Sequence, residues 1–306
     1  MTNLLVSIIM PAYNAGNFIQ DAIKSVRAQT YQQWELIVVN DGSTDDTAKK
    51  VEQLIETDSR IQLITQHNSK QAGARNTGIR KAKGEWIAFL DADDRWAERK
   101  LEIQIAYTNT EQADVFFSDA FVVDEKGNIL GQMGAGKGMF CGDRGLSVFL
   151  EKNQVPILTS LVRHSVFEHD LFDETPGLQN AEDYELWLRL LLKNKTFFGT
   201  PESLAYYTLH PAGSTATDRT AFFAVNTALL QLAKKFPEAK NRLTEIMGTK
   251  TIAWLTENSR GKKQVVKAAK LYLDAHSQTL TSFDVWRLST NNLIQRILKH
   301  YKAYYA

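Results

Sequence analysis

Short apolar runs alternate with helical stretches over the first 95 residues of the chain. The apolar runs have the composition of buried parallel strands and cover residues 4–10, 35–40, 61–65 and 85–90. The stretches between them have helical spacing and cover residues 15–29, 44–56 and 72–83. This alternation predicts an α/β fold with a doubly wound, mainly parallel, Rossmann-like sheet, whose ligands bind at the carboxyl ends of the strands.

The alternation weakens after residue 95 and gives way to helices near residue 220. In the middle of the chain we expect strands at 114–123 and 129–131, a helix at 181–193 and a strand or loop at 204–210. The last part is helical throughout, with helices expected at 221–235, 238–257, 262–276 and 283–305. We therefore predict an α/β domain of residues 1–218, with halves at about 1–95 and 96–218, and an all-helical C-terminal domain of residues 219–306.

Composition excludes several classes of protein. With 43% hydrophobic and 23% charged residues among 306, the chain is neither disordered nor a coiled-coil array. No apolar run approaches the ~20 residues that span a bilayer, and the apolar N-terminus lacks the features of a signal peptide. The single cysteine, Cys141, excludes a disulfide framework and a cysteine zinc site, which favours a reducing, cytoplasmic location.

The net charge of +1 hides a strong asymmetry. Residues 1–220 carry 22 Lys and Arg against 30 Asp and Glu, whereas residues 221–306 carry 14 against 5. In the last predicted helix, basic residues alternate with Trp, Tyr and aliphatic side chains, which suits peripheral contact with an anionic membrane. The alternative is that its apolar stripe packs on the first domain or forms a homodimer. Nucleic acid is disfavoured, because no recognition module accompanies the charge.

Acidic residues follow two of the predicted strands. Asp91-Ala92-Asp93-Asp94 comes directly after the apolar run 86–90, and Asp41 follows the run ending at Asn40. Carboxylates crowded at a strand end repel one another unless a cation lies between them, and a hard divalent ion with a bound diphosphate would relieve this. Asp41 could accept hydrogen bonds from a nucleobase or ribose. The alternative for each is a solvated or helix-capping aspartate.

Two further segments belong to the same edge of the predicted sheet. Pro11-Ala12-Tyr13-Asn14 ends the first strand and offers an aromatic ring on which a base could stack. Gly73-Ala74-Arg75-Asn76 opens a helix and offers a cation for phosphate or base contacts. Taken alone, Tyr13 is more typical of packing and Arg75 of a surface.

In this order the motifs resemble glycosyltransferase family 2, whose members have the GT-A fold and transfer sugars from nucleotide sugars with inversion. The matching strings are VSIIMPAYNAGNFIQDAIKSVRAQTYQQWELIVVNDGSTDDT, GARNTGIRKAKGEWIAFLDADD and NAEDYELWLRL. The resemblance covers about residues 4–215 and does not extend to the helical tail. It implies an enzyme that moves a sugar from a UDP-sugar to a saccharide or lipid-linked acceptor, in bacterial surface polysaccharide assembly.

The resemblance also implies roles for the residues that would bind the donor. Pro11, Tyr13 and Asp41 would hold the uracil and ribose, with Arg75 nearby, and Asp91 would contact the ribose or the sugar.

It likewise implies the reactive groups. Asp93 would ligate Mn²⁺ or Mg²⁺ bridging the diphosphate, and Asp183 would be the general base. An aspartate in the first turn of an amphipathic helix is a rigid mount for a base, although Glu182 and Asp183 could instead complement the helix dipole. His210 would approach the metal or diphosphate, but Thr208 stands where the family usually has Arg.

Two other classes remain as alternatives. A nucleotidyltransferase would carry a Gly-rich loop with Lys after the first strand, where this chain has PAYNAG. A non-catalytic nucleotide-sugar binding module would lack the equivalents of Asp93 or Asp183, which are both present.

Overall fold

The computed structural model describes residues 4–211 and 218–257, and its first part alternates strands and helices. Strands β1 to β4 are Val6–Ala12, Trp34–Asn40, Ile61–Thr65 and Trp86–Phe89. Helices α1 to α3 are Ile19–Arg27, Thr47–Ile55 and Lys70–Ile79. The four strands pair in parallel in the order β3-β2-β1-β4, so the predicted α/β fold is confirmed.

The sheet continues into the second half of this unit with mixed strand directions. Its strands are β5 Arg95–Trp96, β6 Val115–Asp124, β7 Ile129–Gln132, β8 Gly138–Phe140, β9 Leu161–Arg163 and β10 Phe197–Leu209. Its helices are α4 Lys100–Thr108, α5 Gly142–Glu151 and α6 Glu182–Leu192, with short 3-10 helices at Ile157–Thr159 and His164–Glu168. Eight strands follow the order β3-β2-β1-β4-β9-β6-β10-β5, in which β6 and β10 are parallel and β9 is antiparallel to both of its neighbours. The other two pair outside this path, β7 with β6 and β8 with β10, both antiparallel.

Burial explains why the first strands lie at the centre. Every residue of β1 and β2 is buried, as expected where helices cover both faces of a parallel sheet. Helix α1 buries Ile19, Ala22, Ile23 and Val26, which recur at the spacing of one helix face.

The strand order positions the site. The chain moves from β1 outwards to β2 and β3 and then returns to the other side of β1 for β4. A ligand crevice forms at the carboxyl ends of the strands where the order reverses in this way. The segments that follow β1, β2 and β4 are those that carry Tyr13, Asp41 and the acids from Asp91 to Asp94.

Several elements of the second half are absent from the sequence prediction. Helix α5 contains Gly142 and Gly145, which mask the spacing of its buried Leu146, Phe149 and Leu150. Strand β10 begins at Phe197, seven residues before the predicted start at residue 204, and its register shifts between Gly199 and Ala205. An irregularity of this kind breaks the period-2 pattern by which strands are recognised.

The chain divides between residues 216 and 217 into two compact units. In the second, α7 covers Asp218–Lys235, a 3-10 turn Pro237–Ala239, and α8 Lys240–Glu257. The helices expected at 262–276 and 283–305 lie outside the described residues. Within the described ranges, no helix is both long and apolar enough to cross a bilayer.

Candidate active site

A cleft of about 560 Å³ opens at the carboxyl ends of β1, β2 and β4. Six of the eight residues singled out from the sequence line it: Pro11, Tyr13, Asp41, Asp91, Asp93 and His210. The other two, Arg75 and Asp183, lie outside its lining. The structure therefore brings residues from four separate segments to one concave surface and leaves the other two outside its lining.

The loop after β1 is fixed to the loop after β2. Asn14 N–H donates to Ser43 Oγ at 3.0 Å, and Asn14 Oδ1 accepts from Thr44 N–H at 2.8 Å. Asn14 has a φ of +50°, a conformation that Asn adopts more readily than most residues. The Tyr13 side chain, 55% exposed, is thus carried on a braced backbone at the edge of the cleft.

Asp41 forms part of the cleft wall and is almost fully buried. Its Oδ1 accepts from Ser69 N–H and from Gln66 Nε2, each at 2.8 Å. No described residue donates to Oδ2, which leaves that oxygen to accept from a ligand. Gly42 follows with a φ of +79°, and a Cβ there would lie 3.1 Å from Asn68 N, so the turn requires glycine.

The three acids after β4 have different environments. Asp94 is buried and accepts from Thr208 N–H at 2.9 Å, which ties the end of β4 to the end of β10. Burial, together with Asp93 and Asp91, raises the pKa of Asp94 well above its usual range. Burial and Asp91 also raise the pKa of Asp93. Asp94 therefore anchors the fold, whereas Asp91 and Asp93 are partly exposed in the cleft.

Asp93 and His210 are in direct contact in the cleft. His210 Nε2 lies 3.0 Å from Asp93 Oδ2, and the imidazole packs on the Phe18 ring with centroids 4.5 Å apart. An imidazole nitrogen and a carboxylate oxygen at this separation can both ligate one divalent ion. The described residues contain no cluster of three ligating side chains, so such an ion would take its other ligands from substrate and water.

Arg75 forms ion pairs with two of the site's carboxylates. It is 1% exposed, with NH2 2.9 Å from Asp91 Oδ1 and NH1 2.6 Å from Glu182 Oε1. The guanidinium thus links α3, the acidic segment after β4 and the first turn of α6.

We expect Arg75→Met to be strongly destabilising, because it leaves the buried Glu182 and the partly buried Asp91 without their cation. Removal of one partner from a buried ion pair costs about 3–5 kcal/mol. Urea unfolding of the variant measures the free energy of unfolding. The matched control is Arg80→Met at the end of the same helix, whose side chain is 56% exposed and 3.9 Å from Glu174. An equal decrease of the free energy of unfolding in the two variants would contradict the role assigned to Arg75.

The first turn of α6 carries adjacent acids with different surroundings. Glu182 lines the cleft, and Asp183 does not. The sequence alone does not distinguish the positions of these two adjacent acids. Asp183 accepts from Asn153 Nδ2 at 3.0 Å and from Tyr184 N–H at 2.7 Å. Burial, and then the neighbouring Glu182 charge, raise the pKa of Asp183 to about 7. A carboxylate that titrates near neutrality can take a proton from a hydroxyl group and release it again.

Comparison with known proteins agrees with this geometry. Residues 7–160, half of the chain, match glycosyl transferase family 2. UDP-Glc:alpha-D-GlcNAc-diphosphoundecaprenol beta-1,3-glucosyltransferase WfgD of Escherichia coli is 37% identical over 195 residues, which make up 63% of this chain and 72% of that enzyme.

Solved structures show the same fold at low sequence identity. S. aureus TarS 1–349 in complex with UDP-GlcNAc matches with a TM-score of 0.70 and 17% identity, over 89% of this chain and 81% of TarS 1–349. The mannosyltransferase PcManGT from Pyrobaculum calidifontis, in complex with GDP-Man and Mn²⁺, matches with a TM-score of 0.61 and 17% identity, over 95% and 80%. The GT-A fold is confirmed, and the chain belongs to glycosyltransferase family 2.

Proposed function

We propose that this chain is an inverting, metal-dependent glycosyltransferase that moves a sugar from a UDP-sugar to a lipid-linked saccharide. The proposal rests on two separate groups of acids near Arg75, one after β4 and one at the start of α6. Asp91 and Asp93 face the cleft at the end of β4, and Asp183 stands at the start of α6 with its pKa raised to about 7. Inverting transfer needs these two functions, one for the leaving diphosphate and one for the acceptor hydroxyl.

The donor set fits a divalent ion such as Mn²⁺ or Mg²⁺. Asp93 Oδ2 and His210 Nε2 would hold it. Burial and Asp91 raise the pKa of Asp93, and a bound cation would offset both effects. Oxygen ligands suit both ions, and the imidazole favours Mn²⁺ of the two. When bound, the ion supplies charge stabilisation to the departing diphosphate.

The rest of the chemistry belongs to the chain itself. The ring of Tyr13 would stack on uracil, beside Pro11, and Asp41 Oδ2 would accept from the base or ribose. Asp91, held by Arg75, would accept from a hydroxyl of the ribose or the sugar. Asp183 would take the proton of the acceptor hydroxyl as that oxygen attacks the anomeric carbon from the face opposite the diphosphate.

The donor and acceptor are proposed from the relatives. The E. coli relative is named for the transfer of glucose from UDP-Glc to α-D-GlcNAc-diphosphoundecaprenol, with a β-1,3 linkage. A β-linked product from an α-linked donor requires inversion. We take UDP-glucose and a lipid-linked N-acetylglucosamine diphosphate as the first substrates to test, in the setting of bacterial surface polysaccharide assembly.

The location is proposed from the same acceptor. We propose the cytoplasmic face of a membrane, because the proposed acceptor is lipid-linked and the excess of basic residues in 221–306 suits peripheral contact with an anionic surface. Homodimerisation through the C-terminal helices is the alternative use of that segment.

A donor panel tests the proposal directly. UDP-glucose, UDP-galactose and their N-acetyl forms are each incubated with an alkyl-linked α-GlcNAc diphosphate, with Mn²⁺ or with EDTA. We expect UDP release and a glycosylated product that need both the acceptor and the metal. UDP binding without product from any donor would instead support a non-catalytic module, and diphosphate release from UTP would support a nucleotidyltransferase.

Replacement of Tyr13 tests the nucleotide site. Stacking of a base on an aromatic ring contributes ~1–3 kcal/mol, so Tyr13→Ala should raise the Kd of UDP by about 5- to 150-fold in calorimetry. Tyr13→Phe keeps the ring and should leave the Kd unchanged. A loss of affinity in the Phe variant as large as that in the Ala variant would show that the hydroxyl group, and not stacking, binds the nucleotide.

A further inference from the structure

Asn153 lies directly against the carboxylate proposed as the base. Its Nδ2 donates to Asp183 Oδ2 at 3.0 Å, and both side chains are partly buried. Its Oδ1 accepts from Val155 N–H at 3.1 Å, so the amide has one orientation that satisfies both contacts. The donor end of this amide is therefore the end that faces Asp183.

The backbone before Asn153 is held to α6. The Tyr184 hydroxyl, next to Asp183 in the chain, donates to the carbonyl oxygens of Phe149 at 2.9 Å and Leu150 at 3.2 Å. These carbonyls belong to the last turn of α5, where no intrahelical donor is available to them. A buried phenol thus fixes the end of α5, and with it Asn153, against the first turn of α6.

A second set of contacts fixes the same segment to the loop before β8. Lys152 Nζ donates to the carbonyl oxygens of Met133 at 2.7 Å and Gly134 at 3.0 Å. Asp119 Oδ1 accepts from the N–H groups of Gly134 at 3.0 Å and Ala135 at 3.2 Å. The Lys152 ammonium is thereby engaged by this loop, and the group that the segment presents to Asp183 is the neutral amide of Asn153.

Charged groups reach Asp183 from two elements. Glu182, on α6 itself, opposes ionisation, and Arg75, from α3, favours it. The segment after α5 adds the Asn153 amide, beside the exposed Glu151 and Lys152.

We infer that Asn153 is a positioning residue for the proposed base, whose amide N–H holds the Asp183 carboxylate in one orientation and in its ionised form. The inference rests on the proposed function, because it assigns a partner to a base that only a transferase would use. It adds a residue from outside the three matching strings, just after a helix that the sequence pattern did not reveal.

The sign of the expected effect follows from the direction of the hydrogen bond. A donor to the charged form of a carboxylate lowers its pKa, whereas burial and Glu182 raise the pKa of Asp183 to about 7. Loss of the donor raises this pKa further. The acid limb of the profile of kcat against pH then moves to higher pH, and activity recovers at alkaline pH.

Two substitutions separate this effect from a structural one. Asn153→Ser and Asn153→Asp both keep an oxygen that can accept from Val155 N–H, which preserves the turn. The serine lacks the amide donor. We expect the acid limb to move to higher pH by about one unit, with roughly a tenfold loss of kcat at pH values well below it. The aspartate adds a negative charge beside Asp183, and we expect a larger rise. The KM for the UDP-sugar should stay the same in both variants.

Gln154 supplies the matched control. Its side chain is buried and donates to the carbonyl oxygens of Val148 and Lys152 in its own segment. Gln154→Ala should lower the thermal stability without moving the acid limb. In an Asp183→Asn background, Asn153→Ser should have no further effect on kcat, because the group through which Asn153 acts is gone.

The pH profiles are measured with UDP-glucose, Mn²⁺ and the alkyl-linked α-GlcNAc diphosphate. An upward shift in the Asn153 variants, absent in Gln154→Ala, supports the inference. Suppose that the wild-type chain transfers sugar, but the acid limb lies at the same pH in the Asn153 variants, or Gln154→Ala moves it by as much as they do. The inference is then wrong, and the proposed function stands. If the wild-type chain makes no product from any donor, the proposed function fails, and the inference falls with it.

Discussion

Asp93→Asn is expected to lower the rate of metal-dependent sugar transfer by ~10³-fold or more, because it removes a charged ligand of the ion that stabilises the leaving diphosphate. The fold should not suffer. Burial and Asp91 raise the pKa of Asp93 in the folded state, so its ionisation at neutral pH opposes folding. The neutral amide removes that cost, and we expect a melting temperature equal to or above that of the wild type.

The matched control for this variant is Asp21→Asn on α1. Asp21 is 66% exposed and pairs with Lys24 on the surface. The same chemical change there should leave activity and stability unchanged within error. Titration of Mn²⁺ into each protein with UDP present reports the metal site separately from turnover. Near-full transfer by Asp93→Asn in EDTA would contradict the metal-dependent mechanism.

Asp183→Asn should lower kcat by ~10²-fold or more, the range in which general base catalysis contributes. The amide keeps the shape of the carboxylate but cannot take a proton from the acceptor. Affinity for UDP should persist, because Asp183 lies outside the lining of the cleft.

Calorimetry with UDP and Mn²⁺ distinguishes a base from a nucleotide ligand. Retention of the wild-type Kd together with loss of turnover supports the base. A parallel loss of UDP affinity would reassign Asp183 to donor binding and would transfer the role of base to another acid, of which Glu182, in the cleft wall, is the nearest in the sequence.

The nucleotide half of the molecule was predictable from the sequence because local patterns determine it. Parallel strands that are buried on both faces leave continuous apolar runs, and the acids that follow them must meet at one edge of the sheet. The sequence alone therefore assigns Tyr13, Asp41 and Asp93 to one edge of the sheet, and all three line the cleft. The predicted C-terminal helices agree with α7 and α8 as far as the described residues extend.

What the sequence left undetermined depends on contacts between distant segments. Arg75 and Glu182 are 107 residues apart, and no local pattern indicates that Arg75 bridges two carboxylates instead of facing the ligand. Asp94 resembles Asp93 in sequence, yet it is buried under Thr208 of β10. Asn153 follows a helix whose glycines hide its spacing, so its contact with Asp183 could be recognised only in three dimensions.

Determination of the anomeric configuration of the product tests the central claim most directly. UDP-glucose labelled at C1 is incubated with the protein, Mn²⁺ and the alkyl-linked α-GlcNAc diphosphate, and the new linkage is assigned by NMR from the coupling at its anomeric carbon. Inverting transfer at this site predicts a single β-linked glucoside that does not form in EDTA or with Asp183→Asn. An α-linked product, or a β-linked product that forms equally in EDTA, would contradict it.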